Sequence, residues 1–223
     1  MVGTLSIVAT PIGNLEDITL RALRTLKEAD AIFAEDTRVI SKLLARYEIK
    51  KPLYRLDASK EEKRAAEIIE RLGQGEKIVY VSDAGTPGIS DPGTKLVALV
   101  RGAGFQPVAI PGPSALTAAL SIAGVPTEEF VFLGFLPHKK GRQTALKTIA
   151  EEGRTIVLYE SPHRIIKLLG EFIEHIGERQ VSIGRELTKM YEEMLSGTPD
   201  ELRARLETAG SARGEFVVIV HPR

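Results

Sequence analysis

The chain of 223 residues contains no cysteine and no tryptophan. Without thiols there is no disulfide framework, no thiolate metal site and no cysteine nucleophile. Net charge is zero, with 30 basic and 30 acidic residues, so no chain-wide basic surface attracts nucleic acid, although a local patch can. No apolar run reaches the roughly 18 residues of a membrane span, and no signal-like apolar segment is present, so a soluble, cytoplasmic protein is expected. The four histidines, His138, His163, His175 and His221, form no H-x-x-x-H pair, and no metal is expected. There is no G-x-G-x-x-G after the first strand, no G-x-x-x-x-G-K-[ST] and no G-x-S-x-G. Dinucleotides, triphosphates and serine hydrolysis are thereby disfavoured.

What is present is alternation. A hydrophobic content of 43% suffices for one larger domain or two of about a hundred residues each, and the Lys-, Glu- and Arg-rich helices fit a heat-adapted source. "LSIVAT", "AIFAE", "KPLYRL", "KIVYVS" and "QPVAI" read as strands. Between them lie helical patterns such as "RVISKLLARY" and "KEEKRAAEIIERLGQG". Strand and helix in strict succession predict a parallel sheet with helices on its faces. Beyond "GVPTEE" several strands follow one another without a helix, which predicts a mixed sheet. The fold class is therefore α/β in two lobes, with boundaries at 1–113 and 114–223.

Three unusual loops sit at strand ends: "TPIGN", "SDAGTPGISDPG" and "PGPSA". Each alone is explicable as turn chemistry. Together, at the carboxyl edge of one parallel sheet, they form a pocket wall for a ligand without a phosphate chain, with Asp83 as a hydrogen-bond acceptor. Asp91, farther along, reads as a helix cap. "EDTR" (35–38) caps a helix through Asp36 or Thr37, or places Arg38 on phosphate and an acid on a hydroxyl. In "YESPHR" (159–164), Ser161 and Pro162 read as an N-cap and first turn, which leaves Glu160, His163 and Arg164 without a structural role. "RELTK" (185–189) is a charged loop or a site element. "LPHKKGRQ" carries His138, Lys139, Lys140 and Arg142, a solvated loop or an RNA-backbone contact.

Taken in order, "VATPIGNLEDIT", "EDTR", "VSDAGTPGISDPG", "PGPSA", "GFLP", "YESPHR" and "RELTK" resemble the tetrapyrrole methylase superfamily, in its branch of small-subunit ribosomal RNA cytidine 2′-O-methyltransferases, from residue 5 to about 220. The resemblance implies S-adenosylmethionine in a cleft between two α/β lobes, a homodimer, and methylation of a cytidine ribose in small-subunit ribosomal RNA. By position it implies cofactor contacts at Pro11, Asp83, Ala84, Gly85, Thr86, Ser114, Ala115, Tyr159 and Leu187. Substrate contacts are expected at Glu35, Arg38, Lys139, Lys140, Arg142, His163, Arg164 and Arg185. Three departures stand out: Ser59-Lys60-Glu61 replaces a His-Asn-Glu segment, Leu133 stands where relatives often have an acid, and many relatives continue beyond the position of Arg223.

A ribose hydroxyl is a weak acid and benefits from a base. Glu160, Asp36, Glu35 and Lys189 are available, with Glu160 and Lys189 favoured as a pair and Asp36 placing the nucleotide; a lysine base requires a depressed pKa. Two alternatives stand beside this reading: methylation of a small tetrapyrrole, and a non-catalytic RNA-binding module.

Overall fold

The computed structural model describes residues 3–208 and 213–223. The chain divides into two compact units, Met1–Ser114 and Ala115–Arg223.

In the first unit β1 (Thr4–Val8), β2 (Ala31–Ala34), β3 (Leu53–Arg55), β4 (Lys77–Val81) and β5 (Val108–Ile110) form one sheet in the order β3-β2-β4-β1-β5. Every pairing is parallel. The connections carry α1 (Leu20–Glu28), α2 (Thr37–Arg46), α3 (Glu61–Gly73) and α4 (Thr94–Gly102). Burial on both faces follows from the two-residue period of a strand. Ile32, Ala34, Val79 and Val81 meet Leu26 of α1 and Ile40, Leu43 and Leu44 of α2. The residues between them, Ala31, Phe33, Ile78 and Tyr80, meet Ile68 and Leu72 of α3 and Leu96 and Val100 of α4. The expected parallel sheet is thus covered on both faces by its own helices.

The second unit begins with α5 (Ala115–Ala123) and continues through β6 (Phe130–Phe135), α6 (Arg142–Glu151), β7 (Thr155–Glu160), α7 (Ile165–Ile176), β8 (Val181–Arg185), β9 (Glu193–Gly197), α8 (Pro199–Thr208) and β10 (Phe216–Val220). The sheet order is β6-β7-β10-β8-β9. Only β6 and β7 pair in parallel, and the other neighbours are antiparallel, the mixed sheet that back-to-back strands in the sequence imply. Its main core joins α6, α7 and α8, through Leu146, Phe172 and Leu206, to Leu158, Ile183 and Val218. The register of β6 slips between Phe132 and Gly134, which leaves Leu133 at a bulge and partly exposed.

Local capping departs from expectation in two places. Helix α7 starts at Ile165, and Ser161 is not its side-chain cap; the Ser161 hydroxyl accepts from the Arg164 guanidinium at 3.3 Å instead. Helix α4 starts after Gly93, not at an Asp91 cap. Its first N–H groups are taken by Glu61, whose Oε1 accepts from Gly93 N–H at 2.7 Å and Leu96 N–H at 3.5 Å.

Candidate active site

Because the first sheet is parallel throughout, the loops after β1, β2, β4 and β5 emerge at one edge. Two of them are stitched together. Thr10 N–H donates to the Gly85 carbonyl at 2.9 Å, and Gly85 N–H to the Thr10 carbonyl at 3.0 Å. Gly85 has φ +76°, and a Cβ there would lie 3.4 Å from Ile12. Glycine is required by the conformation rather than by space. The Thr86 hydroxyl donates to the Pro113 carbonyl at 3.3 Å and draws in the third loop. Pro11, Asp83, Ala84, Gly85, Thr86 and Ser114 therefore share one edge, while Ala115 opens α5 of the second unit.

The same edge is rich in acid. The Asp36 N–H donates to Asp83 Oδ1 at 2.9 Å, fixing a carboxylate that is otherwise exposed. Burial raises the pKa of Glu35, and the negative fields of Asp83, Asp91 and Asp57 add to the effect. Asp91 is pushed up to about 6 by burial and by Asp83, against a hydrogen bond with Ser82. Beneath them the buried Tyr80 hydroxyl has no hydrogen-bond partner. Asp36 is different. It is the N-cap of α2, with Oδ1 accepting from Arg38 N–H at 2.9 Å, and the Arg38 guanidinium grips both its oxygens. That grip holds its carboxyl at about 2. As a proton acceptor near neutral pH Asp36 is weak, and its catalytic assignment gives way to a structural one. Arg38 itself remains 86% exposed.

In the second unit Glu160 closes β7 with its side chain fully buried. Its Oε1 accepts from Ser161 N–H and forms an ion pair with Arg164 Nε, each at 2.7 Å, while Oε2 has no hydrogen-bond partner. Arg164 also donates to the Leu136 carbonyl at 3.1 Å. It is an internal brace and not the free substrate cation expected of it. His163 beside it is exposed. The Tyr159 hydroxyl accepts from Leu116 N–H at 3.2 Å, and its ring meets Phe132 and Phe135 edge-on.

"RELTK" is neither exposed nor loosely held. Leu187 is buried between Glu186 and Thr188, which both have positive φ, +49° and +66°, a backbone cost that surrounding contacts must offset. Arg185 is committed to Glu193 at 2.7 Å and the Arg213 carbonyl at 2.8 Å, so its expected phosphate contact is corrected to an internal tie. Lys189 Nζ lies between Glu186 at 2.9 Å and Glu215 at 3.0 Å. Burial pulls its pKa down, but these two carboxylates outweigh burial and leave it raised. The depressed pKa that a lysine base needs is absent, and the favoured Glu160–Lys189 pair loses its lysine.

Arg142 is a further correction. It is buried, paired with Glu171 and donating to the Pro137 carbonyl at 3.0 Å. The exposed cations of that loop are Lys139 and Lys140, with His138 beside them.

The family of tetrapyrrole (corrin/porphyrin) methylases matches residues 4–203. A Thermotoga maritima protein named ribosomal RNA small subunit methyltransferase I is 47% identical over 218 residues, 98% of each chain. Its namesake in Halalkalibacterium halodurans is 48% identical, covering 98% of this chain and 75% of the relative. The chain belongs to the tetrapyrrole methylase family. The crystal structure of diphthine synthase superposes with a TM-score of 0.77 at 15% identity, over 98% of this chain and 90% of that one, which shows that the fold persists where the sequences have diverged.

Within this methylase frame the sequence missed two groups. Glu61, the acid retained from the departing His-Asn-Glu segment, is a helix cap reaching across the unit. Asp91, read as a cap, is one of the acids of the strand edge.

Proposed function

We propose that this chain is an S-adenosylmethionine-dependent methyltransferase that modifies the ribose 2′-hydroxyl of a cytidine in small-subunit ribosomal RNA, in the cytoplasm and as a homodimer. The observation that carries this reading is the 47% identity, matched over 98% of both chains, to the Thermotoga maritima protein named ribosomal RNA small subunit methyltransferase I. Methylation of a small tetrapyrrole is not favoured. The solved cobalt precorrin-4 methyltransferase structure shares 20% identity, enough for the fold alone.

The residues of the first unit's edge suit the cofactor. Asp83, Glu35 and Asp91 make that edge attractive to a cation and hostile to a phosphate chain, which fits a sulfonium with an α-ammonium group. When bound, S-adenosylmethionine supplies an electrophilic methyl group. Asp83, pinned through Oδ1, offers Oδ2 to a hydroxyl or ammonium group. The Thr10–Gly85 stitch holds Pro11 and Ala84 still. Rigid placement of this kind is worth several kcal/mol of barrier, to order of magnitude.

Two candidate bases remain. Glu35, made more basic by its burial and the neighbouring acids, suits the acceptance of a ribose proton, and Glu160 keeps a buried, unpartnered oxygen. Arg38, His163, Lys139 and Lys140 are the exposed cationic or ionisable groups left to face RNA.

Mass mapping of ribose methylation on ribosomal RNA from a strain lacking this protein tests the reaction. Loss of one cytidine 2′-O-methyl mark, restored by the gene, is expected; an unchanged map rejects it. Single-turnover rates with cofactor affinity measured separately test the base. Glu35→Gln is expected to slow methyl transfer by about 10²–10⁴. Near-normal rates in both Glu35→Gln and Glu160→Gln would remove carboxylate catalysis from the mechanism.

A further inference from the structure

The second sheet has a concavity at the edge opposite Glu160 and Arg185. Strand β10 runs antiparallel to β7 and β8, so its C-terminal end meets their N-terminal ends. Residues just beyond β10 lie a full strand from Glu160 and Arg185, about 17–20 Å. There a hollow of ≈ 560 Å³ is lined by His175, Arg179, Gln180, His221 and Arg223, with Pro126 among its apolar walls.

Its guanidinium at Arg179 is held by carbonyls and not by a carboxylate. Arg179 donates Nε to the His221 carbonyl at 2.6 Å and its two terminal nitrogens to the Ile149 and Arg154 carbonyls at 3.0 and 3.2 Å. Carbonyl dipoles fix the guanidinium, but no carboxylate of the described residues forms an ion pair with it. Glu152 is the acid whose field it feels, and that carboxylate is held by Arg154 at 2.8 Å. His221 is fixed from behind, with Nε2 at 2.8 Å from the Ser182 hydroxyl, which also bonds Ser196. Burial and Arg179 lower the pKa of His221, and burial and Arg223 lower that of Arg179. An anion entering the hollow would meet a guanidinium and an imidazole that are already fixed in place, and its charge would oppose both shifts.

We propose that this hollow binds a backbone phosphate of the RNA substrate, as an anchor a strand's length from Glu160 and Arg185. Three features favour a phosphodiester over a carboxylate. Nitrogen-bearing side chains come from three separate segments, the end of α7, the turn before β8 and the residues after β10, more than a planar carboxylate needs. The volume exceeds a single anion and leaves space for the attached sugar. The apolar wall suits that sugar. The assignment to RNA rests on the ribosomal RNA reading above; the anion site itself does not.

Two measurements on the full-length protein separate these points. In the first, inorganic phosphate is titrated while the ring signals of His175 and His221 are followed by NMR. Saturable shifts of both rings, with the His221 pKa moving upward, are expected; rings that do not respond overturn the site. In the second, Arg223→Gln and the double variant His175→Gln/Arg223→Gln bind a small-subunit RNA fragment over a range of salt. The double variant is expected to lose about five- to tenfold in affinity near 0.15 M salt and to reduce the salt slope by about one to two counterions, with its thermal midpoint unchanged. An unchanged slope alongside phosphate-responsive rings assigns the hollow to free phosphate and overturns the RNA anchor. If the wild-type protein binds no RNA at all, the ribosomal RNA reading fails, the RNA anchor falls with it, and the phosphate titration still decides whether the hollow is an anion site.

Discussion

Glu35 and Asp36 are neighbours in the chain, yet their carboxyls are driven in opposite directions. Burial among other acids raises Glu35, while the Arg38 guanidinium holds Asp36 at about 2. Side-chain direction, not residue type, separates a candidate base from a helix cap. Asp91 gives a stability prediction with a definite sign. Its folded pKa, about 6, lies above the ordinary 3.8. Its contribution is therefore fully present below 3.8 and lost as pH rises through 6. Asp91→Asn should match the wild type in stability near pH 3.5 and exceed it by about 1–2 kcal/mol at pH 7, allowing for partial exposure. Urea midpoints at the two pH values check this, and a variant less stable at pH 7 would contradict it. Arg142 supplies the opposite case. Removing it leaves Glu171, in a largely buried site, with Lys167 alone at 3.9 Å, so Arg142→Gln should cost about 3 kcal/mol and leave the salt slope of RNA binding unchanged. Lys139→Gln/Lys140→Gln should leave stability intact and lower that slope by about two.

At the scale of elements, the loop from β4 to α4 shows what a local pattern reveals and what it hides. The glycines and prolines of residues 81–93 announced irregular backbone, and the structure has Gly85, Gly88, Ser90 and Gly93 all at positive φ. The strands and helices around it were legible for a similar reason. Apolar runs covered on both faces and 3.6-residue stripes are local signals, and they placed α2, α3 and the parallel sheet without tertiary knowledge. The cap of α4 was not legible, because Glu61 is 32 residues from Gly93 and no local pattern joins them. The ion pair of Arg142 with Glu171, 29 residues apart, was hidden in the same way; "HKKGR" reads as one basic surface until packing turns one member inward. The cap has a measurable consequence. Glu61→Ala leaves the Gly93 N–H without its partner and should cost about 1–2 kcal/mol. Gly93→Ala should cost more. Its Cβ would fall 2.8 Å from the Tyr80 ring at φ +128°, adding steric conflict to backbone strain. Equal chemical-denaturation losses for the two variants would show that the Tyr80 contact relaxes.

At the scale of the whole molecule, each of three large clusters of buried hydrophobic side chains draws on one unit alone. Two clusters lie on the faces of the first sheet and draw only on residues from Val8 or Leu5 to Ile110, while the cluster of the second sheet spans Leu136 to Val220. Each sheet is a closed set of five strands with its own helices. Neither sheet borrows a strand from the other unit, so backbone pairing within each sheet is complete in its own segment. Units of 114 and 109 residues are also within the usual size of an independently folding domain, about 50–250 residues. These conditions predict that Met1–Ser114 and Ala115–Arg223, produced as separate fragments, each fold cooperatively. Sigmoidal thermal melts and dispersed amide spectra are expected from both. The second fragment retains all the side chains of the basic hollow, so the ring signals of His175 and His221 should respond to phosphate in it as in the full chain. A fragment that stays unfolded would mean that its internal core is insufficient and that stability depends on the remainder of the chain, a dependence the separate cores do not foreshadow.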